Sequence, residues 1–117
     1  MQVLLVEDHT DTRSVLALLL NRCGCHTVTA KNIREARSRL NEMRFNILIT
    51  DLNLPDGDGI ELVREAKKMQ ILKAIAVTGR GSEQARALGM EAGFDYYLTK
   101  PIDFRELRQA ISGVAPR

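Results

Sequence analysis

Phe45-Asn46-Ile47-Leu48-Ile49-Thr50-Asp51-Leu52-Asn53-Leu54-Pro55-Asp56-Gly57-Asp58-Gly59 is the stretch from which the fold can be read. The apolar run Ile47 to Ile49 suits a strand buried on both faces, and it stops at a polar residue and a carboxylate, Thr50-Asp51. Asn53, Pro55, Asp56 and the two glycines cannot continue a strand; they are turn formers. A helical pattern starts at Asp58. Asp51 is therefore expected at the carboxyl end of a parallel strand, where ligands gather in open α/β sheets.

Working outward, Gln2 to Val6 is a β-rich apolar run ending in Glu7-Asp8. Thr10 to Cys23 has helical periodicity through Val15, Leu16, Leu19 and Leu20, with Gly24 at C′. Cys25 to Ala30 is a short strand, and Asn32 with Glu35 forms a capping box for a helix to about Met43. The central strand occupies about residues 46 to 51. Asp58 with Glu61 opens the next helix, with Ile60, Leu62, Val63 and Ala66 as its apolar stripe. Ala74 to Thr78 is a fourth strand, and Ser82 caps a weaker helix to about Ala92, with Ala85 and Ala87 at apolar positions. Phe94 to Leu98 is a fifth strand, and Asp103 with Glu106 caps a last helix through Leu107, Ala110 and Ile111. Such alternation gives right-handed crossovers and a doubly wound parallel sheet, with the first strand between the second and third.

The 117 residues suit one domain, and 44% apolar with 27% charged residues is ordinary for a globular chain. No apolar run approaches a membrane span, and the start Met1-Gln2-Val3-Leu4 lacks the features of a signal peptide, so a cytoplasmic location is expected. Cys23 and Cys25 lack zinc-ribbon spacing and read as reduced residues. A net charge of +2 is too mild to imply direct nucleic-acid binding. Lys31, Arg34, Arg37, Arg39 and Arg44 form a local basic excess, read as a solvated face, with an acidic partner surface as the alternative.

Laid parallel, the strands deliver Glu7, Asp8, Asp51, Thr78 and Lys100 to one rim. Close carboxylates repel by about 1–4 kcal/mol per pair. Lys100 offsets one charge, and a divalent cation would balance the rest. Oxygen ligands suit Mg²⁺, which usually serves a phosphoryl group. Thr78 and Lys100 suit phosphate oxygens, and Asp51 is placed as a nucleophile.

These residues resemble the receiver domain of two-component response regulators. The resemblance runs from Gln2 to about Ser112, so 1–117 is expected to be one receiver domain. It rests on Glu7-Asp8, Asp51 followed by Leu54-Pro55 and Asp58-Gly59, Thr78, and Lys100-Pro101. It implies a flavodoxin-like (βα)5 fold with strand order 2-1-3-4-5. It also implies Asp51 as phosphoacceptor, Mg²⁺ on Glu7, Asp8, Asp51 and the Asn53 backbone carbonyl, and phosphoryl oxygens on Thr78 and Lys100. Tyr97 matches the family's switch aromatic, and Lys100-Pro101 is expected cis.

The implied partners are a histidine kinase or histidine phosphotransfer domain (or acetyl phosphate as donor) and a downstream output partner, with the protein a monomer or a phosphorylation-dependent dimer. Such a domain catalyses its own phosphorylation and dephosphorylation without being a conventional enzyme. Departures are Gly79-Arg80-Gly81 after the switch threonine and Tyr96 beside Tyr97. By the resemblance, Arg80 and Asn53 hold the two positions that in the family tune phosphoryl lifetime. Alternation should put one of the two tyrosine rings in and the other out. His9 is read as a residue of the first loop, with no catalytic role for it or for His26.

Rival readings fit less well. A haloacid-dehalogenase phosphatase wants a second Asp where Asn53 stands, and Glu7-Asp8-His9-Thr10 is not a glycine-rich nucleotide loop. An EF-hand would need ligands where Pro55, Asp56 and Leu62 fall. A docking module with a receiver fold and no phosphorylation is the remaining alternative. No helix-turn-helix or basic tail follows Ala115-Pro116-Arg117, so the chain reads as a stand-alone receiver or a piece of a longer regulator. The loops at Thr78-Gly79-Arg80-Gly81 and Ala92-Gly93-Phe94-Asp95 resemble those of hybrid histidine kinase receivers.

Overall fold

The computed structural model describes residues 1–114; Ala115-Pro116-Arg117, and with them any reading of the chain end, lie outside the described residues. The elements run β1 (Gln2–Val6), α1 (Thr10–Arg22), β2 (His26–Ala30), α2 (Ile33–Glu42), β3 (Ile47–Thr50), β4 (Asn53–Leu54), β5 (Gly57–Asp58), α3 (Gly59–Met69), β6 (Lys73–Thr78), α4 (Glu83–Ala92), β7 (Tyr96–Thr99) and α5 (Phe104–Val114). The main sheet has order β2-β1-β3-β6-β7, all parallel. Its five strands, counted along the chain, stand in the order 2-1-3-4-5 of a flavodoxin-like fold.

Strand alternation builds two cores. Leu4, Val6, Leu48, Ala74, Ala76 and Tyr97 face α2, α3 and α4 through Ala36, Leu62, Val63, Ala66 and Ala92. Val3, Leu5, Ile47, Ile49, Ile75 and Val77 face α1 and α5 through Leu16, Leu20, Leu107, Ala110 and Ile111. The apolar run in β3 is thus buried on both faces, as a central parallel strand must be.

Several local expectations change in the folded chain. Val15 and Ala87 are exposed, because the α1 face turned inward runs through Leu16 and Leu20, and α4 meets the sheet through Gly89 and Ala92. Ile60 is only half-buried. Residues expected as a plain turn form the β4–β5 hairpin instead. β7 starts at Tyr96 rather than Phe94, whose ring is buried in the α4 core. The capping box of α2 is made by Asn32 Oδ1 accepting from Glu35 N–H at 2.8 Å, while Glu35 accepts from the Lys31 N–H rather than from Asn32. At α3 and α5 the capping acids bond two residues on, Asp58 to Ile60 N–H and Asp103 to Arg105 N–H. Gly59, the first residue of α3, packs so tightly on the Asp51–Leu52 backbone that a Cβ there would clash with it.

Asp95 ties three elements together. Its Oδ2 accepts from Lys67 Nζ and from the Ala74 N–H, both at 2.8 Å, and Lys73 lies 3.8 Å from Oδ1. Burial alone would raise this carboxyl, but the Lys67 and Ala74 hydrogen bonds and the two lysine charges outweigh it and lower the pKa below the usual 3.8. A depressed folded pKa gives stability that is present above the unfolded value and lost as pH falls through the folded one. Asp95→Asn should therefore unfold at lower urea than wild type at pH 7, with the gap narrowing at a pH below the usual carboxylate value of 3.8. Urea melts at the two pH values check this, and a gap that does not depend on pH counts against it.

Candidate functional site

Register brings the site together. Val6 pairs with Thr50, so the next residues, Glu7 and Asp51, emerge side by side at the strand ends. Thr78 pairs with Thr99, which places Lys100 just beyond that edge. The Lys100 N–H donates to the Thr78 carbonyl at 2.8 Å, and the Lys100–Pro101 peptide is cis.

Lys100 Nζ donates to Glu7 Oε1 and to Asp51 Oδ2, each at 2.8 Å. Glu7 is 2% exposed and Asp51 8%, whereas Asp8 faces solvent. Partial burial would lower the ammonium pKa, but the hydrogen bonds and charges of Asp51 and Glu7 raise it above the usual lysine value. Asp51 Oδ1 accepts from the Asn53 N–H at 3.1 Å, a bond set by the tight chain reversal after β3. Carboxylate oxygens of Glu7, Asp8 and Asp51 lie within 4.8 Å of one another. Such an all-oxygen set fits a hard divalent cation. Among the described residues, neither cysteine nor His26 belongs to such a group. Both cysteines are free thiols.

The other side of the pocket is a loop held by Arg80. Its guanidinium donates to Asn53 Oδ1 at 3.0 and 2.6 Å and to Asp58 Oδ2 at 3.1 Å. The buried Thr78 hydroxyl accepts from the Arg80 N–H at 3.2 Å. Tyr97 is 3% exposed, and its hydroxyl donates to the Arg80 carbonyl at 2.6 Å. Burial raises the pKa of this phenol, with Arg80 and Arg86 opposing. Tyr96 sits half-buried on the opposite face of the sheet, toward α1 and α5.

The roles of three residues escaped the sequence reading. Arg13, one turn into α1, donates to the Glu7 and Asp8 carbonyls at 2.9 and 3.3 Å and braces the acid pair. Asp56 accepts from the Ile33 and Arg34 N–H groups at 2.9 and 3.0 Å, tying the hairpin to the start of α2. His9 is the N-cap of α1, its Nδ1 accepting from the Thr12 N–H at 3.3 Å. Only the last had a signal, its place one residue before the helical pattern. On α2, Arg37 is paired with Glu65 at 2.7 Å and Lys31 with Glu35 at 3.8 Å, which accords with a solvated face.

A doubly wound parallel sheet with an acid cluster, a threonine and a lysine at its carboxyl rim defines a narrow class of proteins. The family model described as the response regulator receiver domain matches residues 3–112, and the chain belongs to that family of two-component signalling domains. An uncharacterised 14.6 kDa protein of Leptolyngbya boryana is 40% identical over 110 residues, 92% of this chain and 84% of that one. The phosphate regulon transcriptional regulatory protein PhoB of Escherichia coli is 34% identical over 119 residues, 99% of this chain but only 52% of PhoB. The chain thus spans about half the length of that relative. A CheY-like receiver domain protein from Methanospirillum hungatei superposes with TM-score 0.90 at 30% identity, covering 96% and 90% of the two chains. TrrA of Thermotoga maritima, solved in complex with Mg²⁺-BeF, gives 0.86 at 27%, covering 97% and 98%. No helix among the described residues is long and apolar enough to cross a membrane.

Proposed function

We propose that residues 1–117 form a receiver domain in which Asp51 accepts a phosphoryl group from a phosphohistidine. The observation that carries this is the place of Asp51, bonded to Lys100 and grouped with the carboxylates of Glu7 and Asp8. An Asp51 carboxylate oxygen attacks phosphorus, the P–N bond to the donor histidine breaks, and the imidazole leaves with a proton from solvent. Mg²⁺ would be held by Glu7, Asp8, Asp51 and the Asn53 backbone carbonyl, and when bound it neutralises charge on the transferring group. Lys100 moves from its carboxylate partners to a phosphoryl oxygen, and the Thr78 hydroxyl turns from the Arg80 N–H to another. Turning Thr78 moves the loop whose Arg80 carbonyl accepts from the Tyr97 hydroxyl and vacates space into which the ring rotates, so the α4–β7–α5 surface changes. Hydrolysis of the acyl phosphate restores the resting form.

The partners are a histidine kinase or histidine phosphotransfer domain and an output partner that reads the changed surface. The domain works in the cytoplasm, as a monomer or as a dimer formed on phosphorylation, without touching nucleic acid itself. The second reading, a docking module that is never phosphorylated, has one observation on its side: Lys100 already satisfies two of the three carboxylates. Titration with beryllofluoride and Mg²⁺, followed by amide resonances, separates the two. Shifts at Asp51, Thr78 and Tyr97 support phosphoacceptance, and an unresponsive spectrum leaves the docking reading.

Arg80 sets the lifetime of the phosphoryl group. Its guanidinium is strapped to Asn53, two residues after Asp51, and to Asp58, and in this reading it screens the phosphoryl group from the attacking water. Arg80→Ala should shorten the aspartyl phosphate lifetime about three- to tenfold, the rate equivalent of one lost polar contact. Loss of label from the phosphorylated protein measures it, and an unchanged rate removes Arg80 from this role.

A further inference from the structure

Helix α2 is closed at its start by a residue from elsewhere in the chain. The first N–H groups of a helix have no partner within it. Asn32 Oδ1 accepts from the Glu35 N–H at 2.8 Å, much as Ser82 caps α4 through the Ala85 N–H. The two N–H groups before it, of Ile33 and Arg34, both donate to the carboxylate of Asp56, at 2.9 and 3.0 Å. The helix dipole favours a carboxylate in that place. Asp56 stands at the tip of the β4–β5 hairpin, and its neighbour Gly57 lies against the same turn of α2. A Cβ on Gly57 would stand 2.8 Å from Cδ1 of the buried Ile33. At its base the hairpin pairs Asn53 with Asp58, and the Asn53 N–H donates to Asp51 Oδ1 at 3.1 Å. A hairpin of residues 53–58 thus joins the start of α2 to the acid cluster.

We propose that Asp56 is a positioning residue for the cation site: by clamping the hairpin tip to α2 it fixes the Asn53 carbonyl, and clamp and cation strengthen each other. This rests on the reading that Glu7, Asp8, Asp51 and the Asn53 carbonyl hold Mg²⁺. Arg80 holds the base of the hairpin through Asn53 Oδ1 and Asp58 Oδ2, and Asp56 holds its tip. A tip released from α2 lets the hairpin rock on its base and carries the Asn53 carbonyl with it. Fixing a ligand group beforehand lowers the ordering cost of binding. Coupling between two sites is reciprocal, so the factor that the clamp adds to Mg²⁺ affinity is the factor that bound Mg²⁺ adds to closure of the clamp.

The test begins with the wild-type chain, in which hydrogen exchange of the Ile33 and Arg34 amides is measured with and without Mg²⁺. The Glu35 amide is the reference, because its acceptor, Asn32, belongs to the same helix end and not to the hairpin. Saturating Mg²⁺ should slow the first two about fivefold more than the third. Equal slowing of all three, or none, overturns the coupling of clamp to cation, whether or not any variant folds. In Asp56→Ala, Mg²⁺ affinity read from amide shifts during titration should fall by the same factor of about five. Unchanged affinity overturns the proposal. A loss that disappears at about 1 M KCl also overturns it, because screening of that strength removes the effect of a missing charge but not of a missing clamp. A wild-type chain that takes up no Mg²⁺ overturns the cation site of the proposed function, and this proposal with it.

Discussion

Asp51→Asn should take up no phosphoryl group from a small phosphodonor with Mg²⁺ present, a loss of at least about a thousandfold in rate. An amide oxygen is a poor nucleophile, and the neighbouring acids cannot substitute for it. Glu7 is 2% exposed with its Oε1 bonded to Lys100, and Asp8 faces solvent. The variant should remain folded, because asparagine keeps an acceptor for the Asn53 N–H and Lys100 keeps Glu7 as partner. Circular dichroism checks the fold, and radiolabel from acetyl phosphate checks the chemistry. Undiminished label on the folded variant would place the acceptor elsewhere and overturn the proposed function.

Lys100→Met is expected to act on stability and on metal binding in opposite directions. Without the ammonium, the Glu7 carboxylate keeps one long hydrogen bond, from the His9 N–H at 3.4 Å, in a site almost closed to water. An unpaired buried carboxylate beside Asp51 costs about 2–3 kcal/mol, discounted for the partial exposure of the lysine. The same change frees both carboxylates from a competing cation, and Mg²⁺ should bind about tenfold more tightly. Urea melts with and without Mg²⁺ test both effects. The stability deficit should be large in chelator and shrink as Mg²⁺ is added, by the linkage between ligand binding and folding. A deficit that Mg²⁺ leaves untouched would mean that the acid cluster does not take the ion.

The parallel sheet could be read from Phe45 to Gly59 because a doubly buried strand that ends in Thr50-Asp51 and turn formers leaves few arrangements of the chain. The rim residues followed from the same logic, since each closes an apolar run. The errors have a common cause. Val15 and Ala87 sit on patterns where several helical faces are almost equally apolar, and packing against the sheet picks one. The β4–β5 hairpin arises from pairing of Asn53 with Asp58 and Leu54 with Gly57, which turn propensity does not encode.

What the chain's order alone determined is the alternation of strands and helices and the presence of acids, a threonine and a lysine at strand ends. Periodicity and breakers are local, and they survive without any partner. What only the tertiary structure decided is who holds whom: Lys100 between Glu7 and Asp51, Arg80 across Asn53 and Asp58, and Tyr97 packed against Gly89. Those contacts join residues 8 to 93 positions apart, so they depend on strand register and rotamer choice, which exist only once the sheet has closed.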